Sequence, residues 1–296
     1  MKVLVTGSNS QLAKSIKKLL NSKKIKLFFY SKEYLDVSNY ISTLKIFNKI
    51  HPDILINCAA YTDVKKAETD KENANLVNNL SLGHLSTLCN DYDTLLIHFS
   101  TDYVFDGKKK TKYLEDDTPN PISVYGQTKL NGEKKILKLS KNFLIFRVSW
   151  LFSIYQNNFA NFVINKLHKN EDIYAISDLE SIPTDAMEMA LFLKYFIENY
   201  NKDNYSDIYH FNSGGSEISW YDFAMKIFQF YSKYYKSNSN IIKLSSYKFF
   251  GNNIRPSFSA MSNAKLLKNF EYKIIDLESS INKLFDNSLL NKKNVN

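Results

Sequence analysis

The 296-residue sequence predicts an α/β chain in which a doubly wound parallel sheet is followed by a smaller α/β domain. Short continuous apolar runs, such as Val3-Leu-Val-Thr6 and Asp53-Ile-Leu-Ile-Asn57, read as strands buried on both faces. Helical stretches alternate with them at the spacing of strand–helix–strand units. The residue types that carry chemistry fall just beyond strand ends: Gly7, Cys58 to Thr62, Thr101 and Trp150. In such sheets ligands bind beyond the carboxyl ends of the strands, so these segments are expected to line one crevice.

Val3 to Thr6 is the first strand, and Gly7-Ser-Asn-Ser-Gln11 turns it into a helix reaching about Leu20. Lys26 to Tyr30 is the second strand, and Asp36-Val-Ser38 caps a helix over Tyr40 to Ile50. Asp53 to Asn57 is the third, followed by one long helix from about Lys71 to Asp91. Thr94 to Phe99 is the fourth and delivers Ser100 and Thr101, with His98 facing the core. The helix that begins at Tyr125 runs to about Leu139, and Phe143 to Val148 is the fifth strand. Residues 1–152 are assigned to the sheet domain on this pattern. Beyond them come helices over Asn158 to His168 and from Pro183, and a strand over Asp207 to Asn212. Ser219-Trp-Tyr-Asp222 resembles a capping box opening a helix to about Tyr231, and a last amphipathic helix lies near Leu277 to Phe285. Residues 153–296 are assigned mainly to the smaller domain, with about 158–180 and 207–230 returning to the sheet.

Hydrophobic residues make up 44% of the chain, enough for a sizeable core. No apolar run approaches the roughly 20 residues that span a bilayer, and Met1-Lys-Val-Leu-Val-Thr-Gly7 enters a strand without the layout of a signal peptide. The two cysteines, Cys58 and Cys89, exclude a disulfide scaffold. These features predict a cytoplasmic chain with no membrane insertion. The net charge is +9, but it comes from lysines spread along helices and no nucleic-acid motif accompanies it, so no nucleic-acid partner is expected. Such a field can still attract an anionic substrate. Only two arginines occur, Arg147 and Arg255. Either fork can bind a carboxylate or phosphate bidentately, and Arg147, inside a strand, reads equally well as a structural ion pair.

Ser100-Thr101, then Tyr125 and Lys129, form the strongest chemical signal. Four residues is just over one helical turn, so Tyr125 and Lys129 share a helix face. An ammonium beside a phenol favours the phenolate, and a hydroxyl from the strand end reaches the same volume. The set suits proton transfer to or from an oxygen. The five histidines form no ligand-spaced cluster, so no metal is expected. The first turn is weaker: where a dinucleotide fingerprint has its second and third glycines, this chain has Ser10 and Ala13. Ser10 is expected to cost backbone freedom there. The second strand ends at Tyr30-Ser-Lys32 with no acid for a ribose 2′-hydroxyl; Lys32 either faces a 2′-phosphate, which favours NADPH, or is solvated. Asp63 and Glu68 read as surface or ion-pair groups rather than catalytic acids.

With Ser100-Thr-Asp-Tyr-Val-Phe-Asp-Gly107 joined to Val124-Tyr-Gly-Gln-Thr-Lys129, the chain resembles the dTDP-4-dehydrorhamnose reductases of the extended short-chain dehydrogenase/reductase superfamily. Ile56-Asn-Cys-Ala-Ala-Tyr-Thr62, Lys66-Ala-Glu68, Gly132-Glu133, Arg147-Val-Ser-Trp150, Asn157-Asn-Phe159, Pro183-Thr184 and Arg255-Pro256 extend the likeness nearly end to end. The resemblance implies a Rossmann-like cofactor domain, a substrate-binding domain, and reduction of a sugar-nucleotide C4 ketone with NADPH or NADH. By position it makes Tyr125 the proton donor, Lys129 the group that holds the nicotinamide ribose and lowers the phenol's pKa, and Thr101 the hydroxyl on the reacting oxygen. It places Gly7, Ser10, Gln11, Leu12, Asp36, Val37, Ala59, Ala60, Tyr61 and Thr62, with Tyr125 and Lys129, on the cofactor. It places Thr101, Asp102, Tyr103, Trp150 and Arg255 on the nucleotide sugar, with Arg255 at the diphosphate. Some relatives dimerise around a metal held by glutamates; Ser15 and Met187 stand at those positions here, which leaves a metal-free homodimer or a monomer open. Two competing readings are a reductase of another NDP-4-keto-6-deoxyhexose, and a non-catalytic regulatory protein of the same fold that binds NADP or a sugar nucleotide. Ser10 and Ala13 motivate the second.

Overall fold

Six strands form one wholly parallel sheet: β1 (Lys2–Thr6), β2 (Lys26–Phe29), β3 (Ile54–Asn57), β4 (Leu95–Thr101), β5 (Phe143–Val148) and β6 (Ser206–Phe211), in spatial order β6-β5-β4-β3-β1-β2. The computed structural model describes residues 1–155, 158–251 and 255–292; Asn157 and the tail from 293 lie outside these. From β1 the chain adds β2 on one side and β3 on the other, so the topological switch lies between β1 and β3. That is where a crevice opens in sheets of this kind.

Side chains alternate between the two faces, and both faces are covered by helices. Val3, Val5, Ile54, Ile56, Leu95, Ile97, Leu144 and Phe146 pack against α1 (Gln11–Leu19) and α6 (Ala186–Glu198). Leu4, Leu55, Leu96, Phe143 and Ile145 pack beneath α2 (Tyr40–Ile50), α3 (Ser81–Asp91) and α4 (Val124–Leu139). Burial on both faces explains why these strands read as unbroken apolar runs rather than alternating ones. A separate cluster joins Phe152, α5 (Phe159–His168), the strand Ile173–Ile176, α7 (Trp220–Tyr231) and α8 (Leu277–Lys292). No helix among the described residues is long and apolar enough to cross a membrane.

Four local expectations are corrected. Segment 158–180 does not return to the sheet: Ala160, Val163, Leu167, Ile173 and Ala175 pack with Phe223, Ala224 and Ile227 of α7. Within 207–230 only β6 joins the sheet, while α6, through Met189, Phe192, Leu193 and Phe196, covers one of its faces. The helix α2 is capped by Asn39, whose side chain accepts from Ser42 N; Asp36 instead accepts from Ser38 N and Oγ. The long helix expected over Lys71 to Asp91 is interrupted by a π-helical turn at Leu76–Leu80.

That π turn positions the site. It turns Asn78 inward, where Oδ1 accepts from Tyr61 N at 2.9 Å and Nδ2 donates to Tyr61 O at 3.0 Å and Thr128 Oγ1 at 3.2 Å. One buried amide thus ties the loop after β3 to α4. The backbones meet here: a Cβ on Gly132 would lie 2.2 Å from Asn78 O and 2.5 Å from Leu82 Cδ1. Gly132→Ala should therefore destabilise the protein by about 1–3 kcal/mol, the usual cost of overpacking. Gly83→Ala, whose new methyl would meet only the side chains of Lys135 at 3.4 Å and Leu139 at 3.8 Å, should be neutral or stabilising through helix propensity. Urea unfolding of the two variants checks the contrast, and equal midpoints would refute it.

Candidate active site

The strand ends converge on a crevice of about 460 Å³ lined by Ser10 to Leu12, Asn57 to Ala60, Thr62, Phe99 to Tyr103, Tyr125, Lys129, Val148 to Leu151 and Trp220. Of the residues expected on a cofactor, Ser10, Gln11, Leu12, Ala59, Ala60, Thr62, Tyr125 and Lys129 border it. Gly7 shapes it from behind. Its φ is +60°, and a Cβ there would lie 2.7 Å from Ala59 N and from the Cys58 carbonyl, so only glycine lets the first turn sit on the third. Asp36, Val37, Tyr61 and Lys32 do not border the crevice. Val37 is buried in the core, Tyr61 sends its hydroxyl to Asp70, and Lys32 is exposed.

Ser10 is not the strained substitute that the sequence suggested. Its φ of −67° and ψ of 154° are ordinary extended backbone, and it is the N-cap of α1, with Oγ accepting from Ala13 N at 3.2 Å. The same hydroxyl engages the Cys58 thiol, whose pKa burial pushes up. Gln11 spends its side chain on structure as well: Nε2 donates to Leu151 O, and Oε1 accepts from Ser153 Oγ and Asn158 Nδ2. What faces the crevice from this turn is the start of a helix beside the small residues Cys58, Ala59 and Ala60. Unpaired N–H groups and the dipole make a helix start an anion site, so the turn fits a dinucleotide's diphosphate.

Opposite this turn stands the proton-transfer set. The N-terminus of α4 is fixed by Ser123 Oγ, which accepts from Gly126 N, and by Glu68 Oε1, which accepts from Val124 N at 2.9 Å. Glu68, read as a surface or ion-pair group, is a capping group, and Asp63 caps a short helix of its own. Tyr125 faces the Thr101 hydroxyl. Burial, the largest effect, holds its phenol well above the ordinary value; Asp102 and Tyr103 add to the rise, and Thr101 opposes it. Lys129 lies at the floor of the crevice. It is only 1% exposed, and its Nζ donates to Phe99 O at 2.6 Å and lies 3.2 Å from His98 Nε2. Burial lowers its pKa to about 8 against the pull of Glu133.

Asp102, expected on the substrate, spends both carboxylate oxygens inside the protein. It accepts from Thr101 Oγ1 at 3.0 Å and Ser259 Oγ at 2.5 Å, and burial lifts its pKa to about 6 against those bonds. Tyr103 lies edge-on to Tyr125 with centroids 5.6 Å apart, and its hydroxyl accepts from Arg255 Nη1 at 2.6 Å. Arg255 stacks at 3.8 Å on the ring of Phe250 and reaches the crevice only through Tyr103. Arg147 lies elsewhere, in a buried bidentate pair with Glu133. Trp150, at φ +42°, stacks on Trp220 with centroids 3.9 Å apart. A non-glycine residue held there costs on the order of 1–3 kcal/mol. Trp220 was missed in the sequence, although it and Trp150 are the chain's only tryptophans.

The whole of this frame, residues 1–290, matches the model of the RmlD substrate binding domain family. The chain belongs to this family. It is 36% identical over 231 residues to a dTDP-4-dehydrorhamnose reductase of Aggregatibacter actinomycetemcomitans, covering 77% of this chain and 78% of that one. With the dTDP-4-dehydrorhamnose reductase of Sinorhizobium fredii the match extends over 96% of both chains at 29% identity. Among solved structures, a dTDP-4-dehydrorhamnose reductase of Bacillus anthracis in complex with NADP superposes with a TM-score of 0.89 at 29% identity. That superposition covers 97% of this chain and 99% of the other. RmlD family membership gives the chain a Rossmann-like fold and makes it an NAD(P)H-dependent reductase.

Since Ser10 is a cap and not a strained residue, Ser10→Ala should cost about 1 kcal/mol of stability and Ser10→Gly a few tenths. Thermal unfolding of both variants checks this. A Ser10→Gly protein more stable than the wild type would restore the strained-turn reading.

Proposed function

We propose that the chain reduces the C4 ketone of dTDP-6-deoxy-L-lyxo-4-hexulose (dTDP-4-dehydro-6-deoxy-L-mannose) to dTDP-L-rhamnose, with NADPH or NADH. The observation that carries this reading is the pairing of Tyr125 with Thr101 across the crevice from the Gly7 and Cys58–Thr62 turns. The names of the relatives support the substrate, and the NADP in the Bacillus anthracis structure supports the cofactor. When bound, the nicotinamide supplies the hydride.

The remaining work falls to side chains of this protein. Tyr125 donates its proton to the C4 oxygen; a phenol whose pKa is raised by burial is fully protonated at neutral pH and so is ready as an acid. Thr101, held through Asp102 and Ser259, steadies the same oxygen. Lys129 holds the nicotinamide ribose from the crevice floor. The Trp150–Trp220 stack and Tyr103 wall the sugar and exclude water. Arg255, whose Nε is buried without a partner, binds the nucleotide's diphosphate at the outer end. The ordinary backbone of Ser10 removes one of the two motives for a non-catalytic reading.

Loss of NADPH absorbance with the dTDP-4-keto sugar tests the reaction. Tyr125→Phe should lower kcat by about 10²–10⁴, the usual contribution of a general acid; undiminished turnover in that variant would defeat the mechanism. Arg255→Ala should raise the KM for the nucleotide sugar about ten-fold, equivalent to about 1.4 kcal/mol, with a smaller effect on kcat. An unchanged KM would remove Arg255 from the diphosphate.

A further inference from the structure

The hydroxyl of Thr101 has a single proton, and its neighbours show where that proton goes. The backbone N–H of Tyr103 can only donate, and it points at Thr101 Oγ1 at 3.2 Å. Thr101 Oγ1 in turn donates to Asp102 Oδ1 at 3.0 Å. The remaining position on this oxygen faces Tyr125 and the crevice. With its proton given to Asp102, Thr101 presents a lone pair there.

The other carboxylate oxygen is held as firmly. Ser259 Oγ donates to Asp102 Oδ2 at 2.5 Å. Ser259 is buried, and its N–H donates to Glu180 O at 2.8 Å, which fixes its segment against the short strand Glu180–Ser181. Two hydroxyls aimed at one carboxyl group suit an ionised acid, which can only accept. The titratable groups beside Asp102 are Tyr103, on the turn that follows it, and Tyr125, on α4, while Arg255 lies behind Tyr103. Burial works against the anion and lifts the pKa to about 6, opposed by the bonds from Ser259 and Thr101.

A lone pair is the wrong partner for a ketone, whose oxygen can only accept. For Thr101 to donate to that oxygen, its proton must turn from Asp102 toward the crevice. A lone pair of Thr101 then faces Asp102 Oδ1. That contact is a hydrogen bond if Oδ1 carries a proton, and a repulsion if the carboxyl group is an anion. An alcohol both donates and accepts, so either arrangement serves it.

We infer that Asp102 is a positioning residue: its proton, on a carboxyl group that Ser259 holds in place, turns the Thr101 hydroxyl outward and so admits the ketone. The ketone and the alcohol are those of the reductase reading, on which this role of Asp102 rests. A ligand that prefers the protonated acid binds best below its pKa, and loses affinity as pH rises through it. The ketone should behave in this way and the alcohol should not.

The test is the affinity of the full chain for two sugar nucleotides in complexes that cannot react. These are the dTDP-4-keto sugar with NADP⁺ and dTDP-L-rhamnose with NADPH, read by the fluorescence of Trp150 and Trp220. From about pH 5 to about pH 8 the Kd of the ketone should rise about ten-fold, the worth of one hydrogen bond, while that of the alcohol stays level. Equal pH dependence for the two would overturn the inference. In Asp102→Asn the amide Nδ2–H can donate to Thr101 while Oδ1 accepts from Ser259, which reproduces the protonated acid. This variant should bind the ketone at high pH as tightly as the wild type does at low pH. A dependence like that of the wild type would overturn the inference. Ser259→Ala removes a bond that favours the anion and should move the ketone transition to higher pH; an unmoved transition would count against Ser259 and overturn the inference as well. A wild type that binds neither sugar nucleotide would defeat the reductase reading and this role with it. Binding of both at a level Kd would defeat this role alone.

Discussion

The site depends on where α4 sits along the sheet, and the buried pair of Glu133 and Arg147 sets that position. Tyr125, Lys129 and Glu133 follow one another at four-residue spacing, so one helix face carries all three. The last is clamped to β5 by two hydrogen bonds, at 2.9 and 2.7 Å, with both side chains nearly inaccessible. A bidentate fork allows neither sliding nor rotation. With Glu133 fixed, Lys129 falls over His98 and Tyr125 falls at the crevice mouth. Such a pair adds little net stability against an apolar replacement, yet losing one partner strands a buried charge at about 3–5 kcal/mol. The chain spends one of its two arginines on alignment of the helix that carries the chemistry.

A second group of contacts closes the site from the other side. Ser149 Oγ donates to Ile182 O, Thr184 Oγ1 donates to Phe211 O, and Ser213 N donates to Pro183 O. These bonds hold the strand end that bears Trp150 against the segment leading into α6. They account for Pro183-Thr184 among the residues of the family pattern, although neither touches the crevice. The strained φ of Trp150 is held by this lacing and delivers the indole onto Trp220 of the smaller cluster. The wall of the sugar site is thus built by both parts of the chain.

Much of this was legible in the sequence because parallel strands leave a plain signature. Val3 to Thr6, Phe143 to Val148 and the helix from Tyr125 to Leu139 are where their patterns place them, and Ser219 with Asp222 forms the expected capping box. Contacts distant in sequence were not legible. Nothing local shows that α6 returns to the sheet while Asn158 to His168 does not, because both are amphipathic helices and differ only in what they meet. Motif position misled at Ser10, where the backbone never enters the region that requires glycine, and it gave no sign that the Asp102 carboxylate, on the crevice, turns to Ser259, 157 residues away. The π turn that brings in Asn78 has no sequence mark beyond an otherwise good helix.

The largest change concerns the tyrosine and lysine with which the chemistry began. Helical spacing puts Tyr125 and Lys129 on one face and suggests that an ammonium pulls the phenol toward phenolate. In the folded protein burial acts on both groups, and it disfavours charge on each: the phenol's pKa rises and the amine's falls. For a general acid the two effects work together. A phenol that must give up a proton is best kept protonated until the acceptor arrives, and burial keeps the Tyr125 phenol so. A site arranged in this way stabilises the transition state rather than the resting ion.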